Sequence, residues 1–140
     1  MIVIAGFTKG KPWLEVGSNH NTINVATEKE DKDSIYSKFK ELVELRKKAA
    51  TLSDGELKEV HTDLQVFSFI RSHDSEHLLV IINFSDKVWN GDLDKISGRG
   101  TVVFDTESKM VGQEVDVNKI KLNVGQAVIL ENGKNEWHLQ

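Results

Sequence analysis

The sequence predicts a mainly β fold with one long N-terminal helix, the β part being a small antiparallel β-sandwich. Three observations carry this reading. The chain has 140 residues, enough for one core or two small ones. Apolar residues recur with a helical period over residues ~33–50, then with a period of two from the turn Ser53-Asp54-Gly55 onward. The only proline is Pro12 and there are 10 glycines, which leaves no linker-rich or low-complexity stretch, and no repeat of solenoid length is visible.

Residues 1–32 read as an irregular lead-in, because Lys11-Pro12-Trp13-Leu14-Glu15-Val16 runs into the polar stretch Gly17-Ser18-Asn19-His20-Asn21. Residues 33–52 read as the amphipathic helix. Asp31 and Asp33 stand at its start as caps, and Ile35, Phe39, Leu42, Val43, Leu45, Arg46 and Ala49 form one stripe. Lys38, Glu41, Glu44, Lys47 and Lys48 take the other face. Residues 53–140 read as the β-domain, with strands expected at 56–60, Gln65–Arg71, His77–Phe84, near Thr101–Phe104, near Val115–Val117 and at Ala127–Glu131. Turn clusters His73-Asp74-Ser75-Glu76, Trp89-Asn90-Gly91-Asp92 and Gly98-Arg99-Gly100 separate them, as in a small sandwich or open barrel.

Composition narrows the function classes. The 22 acidic and 18 basic residues give a net charge of −4, with no Lys/Arg-rich block, so nucleic acid is not an expected partner. No apolar stretch approaches the ~18–20 residues of a membrane span, and Met1–Ala5 is too short for the apolar region of a signal peptide. With no cysteine there is no disulfide, thiolate nucleophile or cysteine metal site. The chain is also too short for a (β/α)8 barrel, which takes ~250 residues.

Motifs for chemistry fall short one after another. Gly6-Phe7-Thr8-Lys9-Gly10-Lys11 has three residues between its glycines, and Pro12 stands where a phosphate loop needs a hydroxyl. His73 and His77 have the i,i+4 spacing of a zinc helix, but they flank a turn between two strand patterns, so no metal is expected. His20, His61 and His138 are isolated, and there is no Gly-x-Ser-x-Gly elbow. Gly98-Arg99-Gly100 lacks the rest of a dinucleotide fingerprint, and no cofactor is expected. Asn83-Phe84-Ser85 is a glycosylation sequon, which makes Asn83 a candidate acceptor. Among the aromatics, Trp13 and Trp89 are candidates for stacking on a sugar ring. Phe67, Phe69, Phe84, Phe104 and Trp137 complete the set, whose alternation within strands reads as core.

In order and spacing, Ala5-Gly6-Phe7-Thr8, Gly10-Lys11-Pro12-Trp13-Leu14-x-Val16, Ile23-Asn24-Val25, Asp33-Ser34 and Leu42-x-x-Leu45-Arg46-Lys47 resemble one region of a known family. They are similar to the end of the catalytic barrel in α-glucosidases of the α-amylase superfamily, glycoside hydrolase family 13, of the maltase and oligo-1,6-glucosidase type. Gln65–Arg71 and Leu78–Ser85 are similar to the first strands of the C-terminal β-sandwich of those enzymes, domain C. The resemblance is specific over residues ~5–85 and reduces to strand-and-turn texture beyond. It implies that the helix is the last helix of a (β/α)8 barrel otherwise lost, and that residues 53–140 are domain C.

Such enzymes are retaining glycosidases, whose carboxylate nucleophile and carboxylic acid lie ~5–5.5 Å apart. In the family these belong to barrel segments upstream of the region resembled, so no catalytic residue carries over, and the chain alone is expected to be inactive. The partner implied is the barrel of the parent enzyme; in animals the family is often secreted or membrane-associated. Cutting the fold there leaves the stripe Ile35, Phe39, Leu42, Leu45 and Ala49 without its barrel cover. Exposing a few such side chains costs several kcal/mol at ~25 cal/mol per Å². The helix is therefore expected to dock on the sandwich beside a loosely ordered lead-in, with self-association through the helix face as another cover. Two other readings stand beside this one. The ectodomain of an amino-acid transporter heavy chain resembles the same hydrolases, and a small carbohydrate-binding or protein-interaction β-domain would show exposed aromatics in place of a buried Trp89 and Trp137.

Overall fold

The computed structural model describes residues 9–62, 65–93, 95–132 and 137–139, with the backbone alone for 59–62 and 138–139. The chain divides into two compact units, Met1–Lys40 and Glu41–Gln140.

In the first unit, residues 9–24 form neither helix nor strand, and 18–22 are turns closed by His20 N–H donating to the carbonyl of Gly17 and by Thr22 and Ile23 N–H donating to that of Asn19. The lead-in is not irregular throughout, because helix α1 occupies Val25–Glu30. Asn24 caps it: its Oδ1 accepts from the N–H groups of Ala26 and Thr27, each at 3.0 Å, while Thr27 Oγ1 accepts from Asn24 N–H in return. Helix α2 spans Ile35–Lys48. Its cap is Ser34, one residue past the expected aspartates: Ser34 Oγ accepts from Ser37 N–H and itself lies 2.6 Å from the carbonyl of Glu28. Asp31 turns the chain just before, accepting from Asp33 N–H. The early part of the predicted stripe is open to solvent, with Ile35 83% and Phe39 67% exposed.

In the second unit, helix α2 ends at Lys48 and the extended Ala49 separates it from the short helix α3 at Ala50–Ser53, so the predicted single helix is two. Ten strands follow among the described residues, β1 at Glu56–Thr62, β2 at Val66–His73, β3 at Glu76–Asn83, β4 at Trp89–Asn90, β5 at Ile96–Ser97, β6 at Arg99–Asp105, β7 at Glu114–Asp116, β8 at Lys121–Leu122, β9 at Ala127–Glu131 and β10 at His138–Leu139. Six of them form one antiparallel sheet in the order β1-β2-β3-β9-β6-β7, and β4-β8 and β5-β10 form two short ribbons. The second layer of the predicted sandwich is therefore made of ribbons and loops.

Register sorts the sheet's side chains. Val66, Ile70, Leu79, Ile81, Val102, Val128 and Leu130 lie on one face, where Trp89, Leu93, Ile96, Val117, Ile120, Leu122 and Trp137 cover them as the main core. The opposite face carries Leu78, Val80, Phe104 and Ile129, packed with Ala49 and against Leu45 and Leu52. The late part of the helix stripe thus docks on the sheet as expected. A polar anchor fixes it there. Thr51, fully buried, donates its hydroxyl to the carboxylate of Glu76 and gives its carbonyl to Arg71 Nε at 3.1 Å. Gly55 lets β1 start this close, since a Cβ there would come within 2.4 Å of the Thr51 carbonyl oxygen.

Candidate functional site

Asp105, at the end of β6 and fully buried, is a heavily bonded carboxylate of the β-domain. One oxygen accepts from Glu107 N–H at 2.9 Å and Gln126 Nε2 at 2.8 Å; the other accepts from Lys109 N–H at 2.9 Å and Met110 N–H at 3.0 Å. Burial pushes this carboxyl up, but the Gln126 amide and the three backbone donors outweigh it and hold it below the usual aspartate value. Beside it, hydrogen bonds from Lys109 Nζ and Asn123 Nδ2, each at 2.8 Å, hold Glu107 below the usual glutamate value. Four donors fill the acceptor sites of one carboxylate. Asp105 is a clasp that ties the turn after β6 to the segment leading into β9.

The candidate residues from the sequence fall in separate places. Trp13 is 92% exposed in the first unit and keeps an open ring. Trp89 is only 8% exposed and belongs to the main core, so it presents no face to a sugar. Asn83 is fully buried. Its Nδ2 donates to the carbonyls of Lys87 at 2.8 Å and Asn123 at 2.9 Å, and its Oδ1 accepts from Ser85 N–H and Oγ. A glycan on that nitrogen has no room and would remove a bonded hydrogen, so Asn83 is a structural residue of the folded chain.

The two histidines of the 73–77 segment flank a two-residue hairpin in which His73 pairs with Glu76 and Ser72 with His77. His77 shares a face with Ser72, and His73 takes the other, which separates the imidazoles. Among the described residues no group of His, Asp and Glu comes together to hold a metal ion. The side chains of His61 and His138 and the segment Gly6-Phe7-Thr8 lie outside the described residues. His20 sits in a turn with Nδ1 at 2.8 Å from the carbonyl oxygen of Gly17.

A site that sequence reasoning missed lies on the main-core face of the sheet, beyond the edge of the core. Glu56 on β1, Ser72 on β2 and His77 on β3 form one row across three strands, and Lys58 and Ile70 form the next. With Asp74 and Trp137 they line a cleft of about 250 Å³. The row exists only through the register of three strands, and the sequence signal for it is the two-residue turn that sets Ser72 opposite His77.

The family comparisons agree with this architecture. Residues 3–55 match the model of the alpha amylase catalytic domain, and residues 58–138 match that of the alpha amylase C-terminal all-beta domain. The chain belongs to the alpha-amylase family. It is of the α-glucosidase type within glycoside hydrolase family 13. An oligo-1,6-glucosidase of Bacillus cereus is 39% identical over 82 residues, which are 58% of this chain and 15% of that protein. One of Halalkalibacterium halodurans is 37% identical over 84 residues, again 15% of its length. Isomaltulose synthase from Klebsiella sp. LX3 superposes with a TM-score of 0.78 at 27% identity, over 91% of this chain and 23% of that one. The chain thus spans less than a quarter of these relatives. Its β-domain is the family's all-beta domain, a mostly antiparallel sheet, and no helix among the described residues is long and apolar enough to cross a membrane.

Proposed function

We propose that this chain is the closing part of an α-glucosidase-type glycoside hydrolase, carrying the accessory β-domain without the catalytic carboxylates, and that it hydrolyses no glucoside by itself. The observation that carries the proposal is the pair of adjoining family matches. A catalytic-domain match of only residues 3–55 leads directly into the C-terminal domain match at residue 58. The electrostatics support it. A general acid must be held above its ordinary value to carry a proton at neutral pH, whereas Asp105 and Glu107 are both held below theirs. Glu76 and Glu28 serve as acceptors for Thr51 and for the N–H of Tyr36.

The surface of the first unit supports the partner side of the proposal. Trp13, Leu14, Ile23, Val25, Ile35 and Phe39 are each at least 60% exposed, an apolar display that suits packing against the rest of a (β/α)8 barrel. In the isolated chain the same residues are open to a second copy. Purified chain should leave maltose, sucrose and a chromogenic α-glucoside at the buffer rate. Turnover that co-purifies with the chain and follows its concentration would overturn the proposal.

A further inference from the structure

The six-stranded sheet ends on one side at β1, which pairs with β2 alone among the described residues. The register fixes which backbone groups of β1 are spent. Phe84 N–H donates to the Gln65 carbonyl at 2.8 Å, so odd-numbered residues of β2 turn their backbone groups toward β3 and even-numbered ones toward β1. Ser72 and Ile70 therefore bond Glu56 and Lys58, and the N–H and C=O groups of Leu57 and Glu59 point away from the sheet. Such an edge is a template for a further strand. A bulge between Glu59 and His61 bends β1 and confines the regular edge to its first residues.

Three side chains on this edge suit one kind of strand. Glu56 and Lys58 share the main-core face, in contact at 3.7 Å, with 70% and 49% of their side chains exposed. Leu57, 59% exposed, takes the opposite face, on which α3 packs over β2 and β3. We propose that β1 pairs antiparallel with β1 of a second copy, about a two-fold axis at Leu57, so that one sheet runs through both copies. Leu57 then exchanges both backbone bonds with Leu57 of the second copy, and the two side chains meet. Glu56 stands opposite Lys58 of the second copy and Lys58 opposite its Glu56, so the four charges alternate in sign around the axis. Charge selects this register. Slipping the second strand by two residues either way sets Glu56 against Glu56 or Lys58 against Lys58, and like charges directly opposite destabilise a strand pair. Exposed ion pairs add little affinity, so they choose the register while the backbone bonds and Leu57 hold the strands. The inference goes beyond the proposed role and does not rest on it, since β1 offers this edge with or without a barrel.

The test is sedimentation equilibrium of the full chain over a range of concentrations. Every sample carries Phe39→Glu, which keeps the exposed apolar face of the first unit from contributing. The mass should rise with concentration from 15.8 kDa toward twice that value. Lys58→Glu and Glu56→Lys each turn both attractive pairs repulsive and should weaken the dimer about tenfold, with the circular dichroism of the parent chain kept. Mixed in equal amounts, these two variants set glutamates opposite lysines and should associate as tightly as the parent chain. Exchanging the two charges within one chain, Glu56→Lys with Lys58→Glu, should restore the dimer as well. A chain that stays at 15.8 kDa over its soluble range would overturn the inference. So would single variants that dimerise like the parent chain, or an equal mixture of them that stays monomeric. None of these results bears on glucoside hydrolysis, so the inference and the proposed role can fail separately.

Discussion

At the scale of single residues, the β-domain depends on two buried polar groups whose partners come from distant parts of the chain. Asp105 gathers three backbone N–H groups of its own turn and the side chain of Gln126, 21 residues on. Asp105→Ala orphans all four donors and should cost about 3 kcal/mol or more of stability in urea unfolding. Its carboxyl lies below the ordinary value when folded, so its contribution is complete above the unfolded pKa, about 3.9, and is lost as pH falls through the folded value. The wild-type stability curve should therefore drop at acid pH below about 4, and Asp105→Asn should flatten that part of the drop. Asn83→Ala breaks the junction of β3 with the loop before β9 and should cost about 2–4 kcal/mol by the same measurement. Neither role was legible in the sequence. Asp105 has no neighbouring signal that names Gln126, and the sequon drew Asn83 toward modification when its amide is spent on the carbonyls of Lys87 and Asn123.

At the scale of elements, the long strands were legible because one face of each is buried and the period of two survives in the sequence. β2 and β3 follow the expected positions, and the hairpin between them turns at Asp74, whose φ is 51°. The strands β4, β5, β8 and β10 are two residues each and too short to show any period. Helix α1 escaped because no residue of it is buried, so nothing marks a face, although Asn24 and Thr27 spelled its cap. The predicted helix stripe divides in two. Leu45 and Ala49 meet the sheet face of Leu78 and Val80, whereas Ile35 and Phe39 stay exposed. Ala49→Asp would bury a charge against that face and should destabilise the β-domain by about 3 kcal/mol or more in thermal or urea unfolding. Phe39→Glu should leave that stability within about 0.5 kcal/mol while lowering any concentration-dependent mass seen by light scattering.

At the scale of the whole chain, the family and the β-domain were readable from ordered motifs, Gly10-Lys11-Pro12-Trp13-Leu14 and Leu78–Ser85 above all. The cleft beside Trp137 was not, because it is assembled from β1, β2, β3 and the segment before β10. The sandwich expected from the strand count is one six-stranded sheet backed by ribbons, and its core closes around Trp89 and Trp137. Burying those two rings removes the aromatic platform on which a stand-alone carbohydrate-binding reading of Trp89 depended. The central claim is that the catalytic carboxylates of a retaining glycosidase are supplied by other residues than these. An activated glucoside that traps the nucleophile of such enzymes as a glycosyl ester, followed by intact-mass spectrometry of the purified chain, tests it most directly. The chain should emerge at its unmodified mass after prolonged incubation. A stoichiometric glycosyl adduct on one of its aspartates or glutamates would contradict the account.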